Sequence, residues 1–180
     1  MTVAKHPFTV ETHIFTDDGT VPNNILPLVV YRGALPDTGD RAAFCEEMFA
    51  RNLWPQSWRN GIHPYHHYHS TAHEVLGIAR GSARVRLGGE SGQSVELRAG
   101  DVVVIPAGVA HKREAASGDL LVIGSYPRGQ NPDTCRAEPD RHDRAAVNIA
   151  AVPLPASDPV TGGAGPLLDC WDQGSRQRPA

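Results

Sequence analysis

From Trp54 onward the chain is a succession of short apolar runs: WPQSW, PYHHYH, EVLGIA, SARVRL, SVELRA, DVVVIP and DLLVIGSY. Each has strand length, and glycine, proline or polar residues separate them. In SARVRL, Ala83, Val85 and Leu87 alternate with Ser82, Arg84 and Arg86, the period of two that puts one set inside and the other in solvent. GGESGQ (88–93) reads as a hairpin loop and RAGD (98–101) as a second turn. Many short, closely spaced strands restrict the fold to an all-β sandwich or barrel. No internal repeat is visible, so one barrel is expected rather than two.

THIF (12–15) and ILPLVVY (25–31) add strand signals upstream. Between them and the barrel segment lies DTGDRAAFCEEMFARNLW (37–54). There Phe44, Cys45, Met48 and Phe49 fall on one helical face, and Asp37, Thr38 or Asp40 supplies the N-terminal cap. The pattern predicts a helix from about Asp40 to Asn52, packed outside the barrel with Cys45 unpaired and not catalytic. After Arg128 the chain turns polar and proline-rich, and NIAAVPLP and GPLLDCW return as short apolar pieces. This tail is expected to run along the barrel, with QGSRQRPA at its end disordered.

The 180 residues allow one domain with a sizeable core plus extensions. A net charge of −3 gives no reason to expect nucleic acid or a membrane surface as partner. No apolar run approaches the roughly 18 residues of a membrane span, and MTVAKHPFTVETH lacks a signal-peptide pattern. Three cysteines, an odd number without paired spacing, fit reduced thiols in a cytoplasmic protein.

HPYHHYHSTAHEVL (63–76) holds five of the nine histidines. His67 and His69 share a face on a strand, about 7 Å apart. Glu74 has the wrong parity to join them on an unbroken strand, but Ser70-Thr71-Ala72 is turn-like, and a hairpin there would reset the register. A carboxylate opening a buried strand is expensive unless it is paired or bound to a metal. His111 follows the Pro106-Ala107-Gly108 turn. Three imidazoles and a carboxylate suit a divalent transition metal. His73 is the alternative to Glu74, while His63 and His66 read as ordinary polar residues.

These residues carry a resemblance. Gly61, five residues, His67-x-His69, four residues, Glu74, six residues and Gly81 resemble the first motif of the cupin superfamily. Gly100, five residues, Pro106-x-Gly108, two residues and His111 resemble the second, with Ala115 in place of the usual closing asparagine, a residue taken to support a turn. The flanking helix and tail resemble a bacterial group of single-barrel cupins with no assigned activity. The resemblance implies a jelly-roll barrel with one helix on the N-terminal side covering its outside. It divides the chain into N-terminal strands and helix (1–53), barrel core (54–128) and C-terminal extension (129–180).

It also implies His67, His69, Glu74 and His111 as ligands of a divalent ion: iron or manganese in function, zinc or nickel in purified material. Four protein ligands leave positions open for water, oxygen or a chelating substrate. A metal-dependent enzyme acting on a small molecule, of dioxygenase, isomerase or decarboxylase type, is the leading reading. A non-catalytic sensor or binding protein is the alternative, and a metal-free sugar isomerase or epimerase comes third. Tyr65 shares the parity of His67, and Arg113 that of His111, so both are candidates to orient a substrate at the pocket mouth. A homodimer formed through ILPLVVY, outside the motif-bearing barrel, is expected.

Overall fold

The computed structural model describes residues 8–37 and 39–175. Among the described residues, eleven strands form two antiparallel sheets. The first sheet takes β1 (Thr9–Phe15), β2 (Asn24–Arg32), β8 (Val102–Ile105), β5 (Glu74–Arg80), β10 (Leu121–Ser125) and β3 (Trp58–Asn60), in that spatial order. The second takes β11 (Cys135–Arg136), β4 (His67–Tyr68), β9 (His111–Ala116), β6 (Ser82–Leu87) and β7 (Gln93–Arg98).

Period-two alternation decides what lies between the sheets. Leu76, Ile78, Val103, Ile105 and Val122 of the first sheet meet Ala83, Val85, Leu87, Val95 and Leu97 of the second in one buried cluster. The intervening residues Val75, Ala79, Val102, Val104 and Ile123 face the other way, into a second apolar layer. That layer is closed by α1 (Arg41–Arg51) and α3 (Pro166–Ser175), which contribute Cys45, Met48, Phe49, Leu167 and Trp171. A jelly-roll barrel with helices on its outer face results.

The helix α1 starts where expected. Asp40 caps it, its carboxylate accepting from the amides of Ala42 and Ala43. Of the other two cap candidates, Asp37 pairs with Arg41 instead, and Thr38 lies outside the described residues. The predicted face shifts by one position: Ala42, Cys45, Met48 and Phe49 are buried, whereas Phe44 is 38% exposed. Close approach to the sheet is made at Gly77, where a Cβ would stand 2.3 Å from Cys45 Sγ. Burial pushes the Cys45 thiol well above its ordinary range. Thiol labelling followed by mass spectrometry should therefore leave Cys45 unmodified in the folded protein and modify it in denaturant; fast labelling of the folded form would contradict this packing.

Several expectations are corrected. ILPLVVY, expected outside the motif-bearing barrel, joins its sheet: as β2 it is hydrogen bonded to β1 on one side and, over Val29–Tyr31, to β8 on the other. Residues 69–73 make no hairpin; they carry the chain from β4 in one sheet to β5 in the other. One helix was expected and three form: the tail folds into α2 (His142–Ala151) and α3 as well. QGSRQRPA begins inside α3, and 176–180 lie outside the described residues. HKREAA forms β9, so Ala115 sits opposite Arg84 in a ladder rather than at a turn.

Two motif glycines are needed for their backbone. Gly81 adopts φ +71° between β5 and β6, where a Cβ would be 2.9 Å from the Leu120 backbone. Gly108 adopts φ +90°, with a Cβ position 2.5 Å from the Asn23 carbonyl oxygen. The Gly108 turn directs the chain into β9 and His111.

Candidate metal centre

β4 is only two residues long, yet both its edges are paired: His67 stands opposite Arg136 of β11 and opposite His111 of β9. Tyr68, of opposite parity, is buried with Ala145 and Ile149 of α2, which turns His67 inward. The His67 and His111 rings are cross-strand neighbours with centroids 4.0 Å apart. His69 follows the strand end, its ring 5.9 Å from each of the other two. One ligand atom of each of His67, His69 and His111 lies within 4.8 Å of the others, and all three residues are buried.

The ring orientations match a metal site. His67 Nδ1 faces the Tyr65 carbonyl oxygen at 3.2 Å and His111 Nδ1 faces that of Val109 at 3.3 Å. His69 Nδ1 faces the carbonyl oxygen of Asp133. A carbonyl can only accept, so each Nδ1 carries the proton and each Nε2 offers a lone pair. Outer partners of this kind hold the tautomer in metal-binding histidines.

Glu74 opens β5 opposite Ile105 and is 3% exposed. Its Oε2 lies 3.1 Å from His111 Nε2 and 3.4 Å from His69 Nε2, and among the described residues it accepts no hydrogen bond. A carboxylate oxygen set against neutral imidazole lone pairs is repulsive unless a cation sits between them. Without a metal that cation is a proton. Burial would raise the Glu74 carboxyl, but His69 and His111 outweigh it and hold the group well below the usual range. Burial likewise opposes a charge on His69, yet Glu74 outweighs it and pushes the imidazole up to about 9. His67 goes the other way: burial, reinforced by His111, lowers it to about 3, leaving it neutral. Once that proton is displaced, the buried Glu74 carboxylate and the three Nε2 atoms make a donor set that suits a divalent cation.

The triad opens into a cavity of about 320 Å³. Arg113 lines it, as its parity with His111 requires. Tyr65 does not. Its ring stacks on His63 at 4.8 Å, and the Arg136 guanidinium lies 3.3 Å above its centroid, an arrangement that occupies the phenol ring elsewhere. His63, read as ordinary, lines the cavity, edge-on to His67 at 4.9 Å. His73 is turned away, its Nδ1 accepting from the Ala107 amide and its ring 4.6 Å from that of Trp171.

Sequence reasoning missed Trp58 and Tyr126, which form a wall of the cavity. Trp58 Nε1 donates to the Tyr126 hydroxyl at 3.1 Å, and Gly124 makes room for the indole, a Cβ there being 2.0 Å from it. Burial and the Glu74 charge raise the Tyr126 phenol, so it remains a proton donor.

Asp133 was also missed, having no motif to mark it. Its carboxylate accepts from the Ser70 amide at 2.6 Å, from the Ser70 hydroxyl and from the Thr71 amide at 3.3 Å, while its carbonyl receives His69. The tail thereby clamps the 69–71 segment. Asp133→Ala keeps the main-chain carbonyl facing His69 but removes the carboxylate that holds Ser70 and Thr71; it is expected to lower stability by about 1–3 kcal/mol and metal affinity by less than about the tenfold that losing an outer partner costs. Metal titration and urea unfolding check both.

A sequence profile of the family described as Cupin domain matches residues 58–123. The chain belongs to the cupin superfamily. It is 44% identical over 162 residues to the uncharacterized protein YjlB of Bacillus subtilis (strain 168), an alignment covering 89% of this chain and 96% of YjlB. Among solved structures it is similar to an 11S globulin from Wrightia tinctoria, at 22% identity and TM-score 0.35, over 46% of this chain and 23% of that one. The chain thus spans about a quarter of the globulin's length. It is also similar to an acireductone dioxygenase from Bacillus anthracis with cadmium in its active centre, at 18% identity and TM-score 0.39, over 69% and 82% of the two chains.

Proposed function

We propose that this protein is a metal-dependent enzyme that binds one divalent transition ion through His67, His69, Glu74 and His111 and acts on a small organic molecule held in the barrel. The observation that carries this reading is the arrangement of Nε2 lone pairs around the buried Glu74 carboxylate. Bound there, the ion supplies Lewis-acid polarisation of substrate oxygens. The chain does the rest. The three backbone carbonyls fix the imidazoles, Trp58 and Leu76 exclude water, and Tyr126 presents a hydroxyl proton beside Glu74. A cavity of about 320 Å³ suits a small molecule rather than a polymer.

One carboxylate among three nitrogens keeps iron and manganese competitive as the working ion, although affinity order favours zinc, nickel or copper in purified protein. Metal analysis of the protein as isolated, followed by oxygen uptake and product detection with a panel of small acids and diols after loading with iron or manganese, tests the reading. One ion per chain with turnover is expected. One ion without turnover on any compound would instead favour a binding or sensing role.

A further inference from the structure

The metal site occupies one end of the cavity; Arg113 gives the cavity a second recognition element. β9 alternates, so His111 and Arg113 both point inward, two positions and about 7 Å apart. Their inward neighbours on β6, Leu87 and Val85, are apolar and buried. The outward charges of β9 are all matched: Lys112 lies 3.5 Å from Glu90, and Glu114 receives Arg84 at 3.2 Å and Arg86 at 3.0 Å. Arg113 differs. It is half-buried and lines the cavity, and among the described residues its guanidinium has neither an ion pair nor a side-chain hydrogen bond. A guanidinium held on the inner wall of an apolar barrel without an anion is half of a recognition pair. Its planar donor fork matches a carboxylate.

We infer that the substrate is a small carboxylate bearing an oxygen on the adjacent carbon, a 2-oxo or 2-hydroxy acid, whose carboxylate pairs with Arg113 and whose vicinal oxygens face the histidine end of the cavity. This rests on the metal reading above and narrows it. Vicinal oxygens are what an ion with two open positions takes as a chelate, and Arg113 selects the anionic form. Trp58 and Tyr126, on the cavity wall, bound the remaining substituent and keep it short.

Pyruvate and its neutral near-isostere pyruvamide are the probes. Calorimetric titration should compare the metal-loaded protein with Arg113→Gln and Arg113→Lys, after metal content is measured on each. Equal metal in all three is expected. Pyruvate should bind at least about tenfold more weakly to Arg113→Gln, about 1.4 kcal/mol, with partial recovery in Arg113→Lys, while pyruvamide should not distinguish the variants. Equal pyruvate binding by wild type and Arg113→Gln, or no binding to the fully metal-loaded wild type, overturns the inference. If the chain holds no metal, the metal reading fails by itself. The same titration without metal then decides Arg113: weaker binding to Arg113→Gln supports the anion site, and equal or absent binding overturns it.

Discussion

Replacing His69 with alanine is expected to lower metal affinity by at least about a hundredfold while the barrel keeps a cooperative unfolding transition. Partners that merely orient a ligand are worth about 10–100-fold in affinity, so removing one of the three converging imidazoles should exceed that. The fold should survive because the inner layer is built mainly from Val, Leu and Ile side chains, which are not metal ligands. Glu74 remains 3.1 Å from His111, which can share a proton with it. The loss of the second partner is therefore expected to cost about 1–3 kcal/mol, set against a total of about 5–15 kcal/mol for a domain. Metal stoichiometry and thermal unfolding should be measured on the same sample. Full occupancy in the variant would show that the ligand set is wrong. Outright unfolding would make the metal a structural element and remove the main support for catalysis.

Trp171→Ala should destabilise the protein by about 3–5 kcal/mol, the range for deleting a large buried aromatic side chain. Trp171 is 1% exposed and packs in the outer layer with residues of β2, β5 and α1. Its indole donates to the Pro27 carbonyl at 2.8 Å, so the substitution also leaves that part-buried acceptor without its donor. The ring further backs His73, which holds the Ala107 amide within the Pro106–Gly108 turn. Trp171→Phe, which retains most of the apolar contact, should recover the larger part of the loss. Denaturant midpoints on the three proteins provide the measurement. A change below about 1 kcal/mol for Trp171→Ala would mean that α3 is an accessory to the barrel and not part of its core.

Much of the barrel was legible because strand parity is a local property. Ala83, Val85 and Leu87 could be assigned to the interior from period two alone, and the structure places them there. The cap at Asp40 and the burial of Cys45 were readable for the same reason: a helix face depends on spacing within eleven residues. Phe44 misled because hydrophobicity does not say which edge of an apolar face the sheet will cover.

By itself the sequence determined that an all-β barrel would form, and that His67, His69, Glu74 and His111 were the residues to watch, since both follow from short-range pattern and motif spacing. Only the tertiary structure decided that Glu74 comes to His69 and His111 from the opposite sheet, because β4 and β5 are separated by a crossover rather than a hairpin. It alone selected Arg113 over Tyr65 for the cavity, since Tyr65 is taken up by Arg136, 71 residues further along the chain and brought near only by the pairing of β11 with β4. Asp133, Trp58 and Tyr126 join the site by the same route: their contacts arise from which strands and tail segments pair, a long-range choice that no local periodicity encodes.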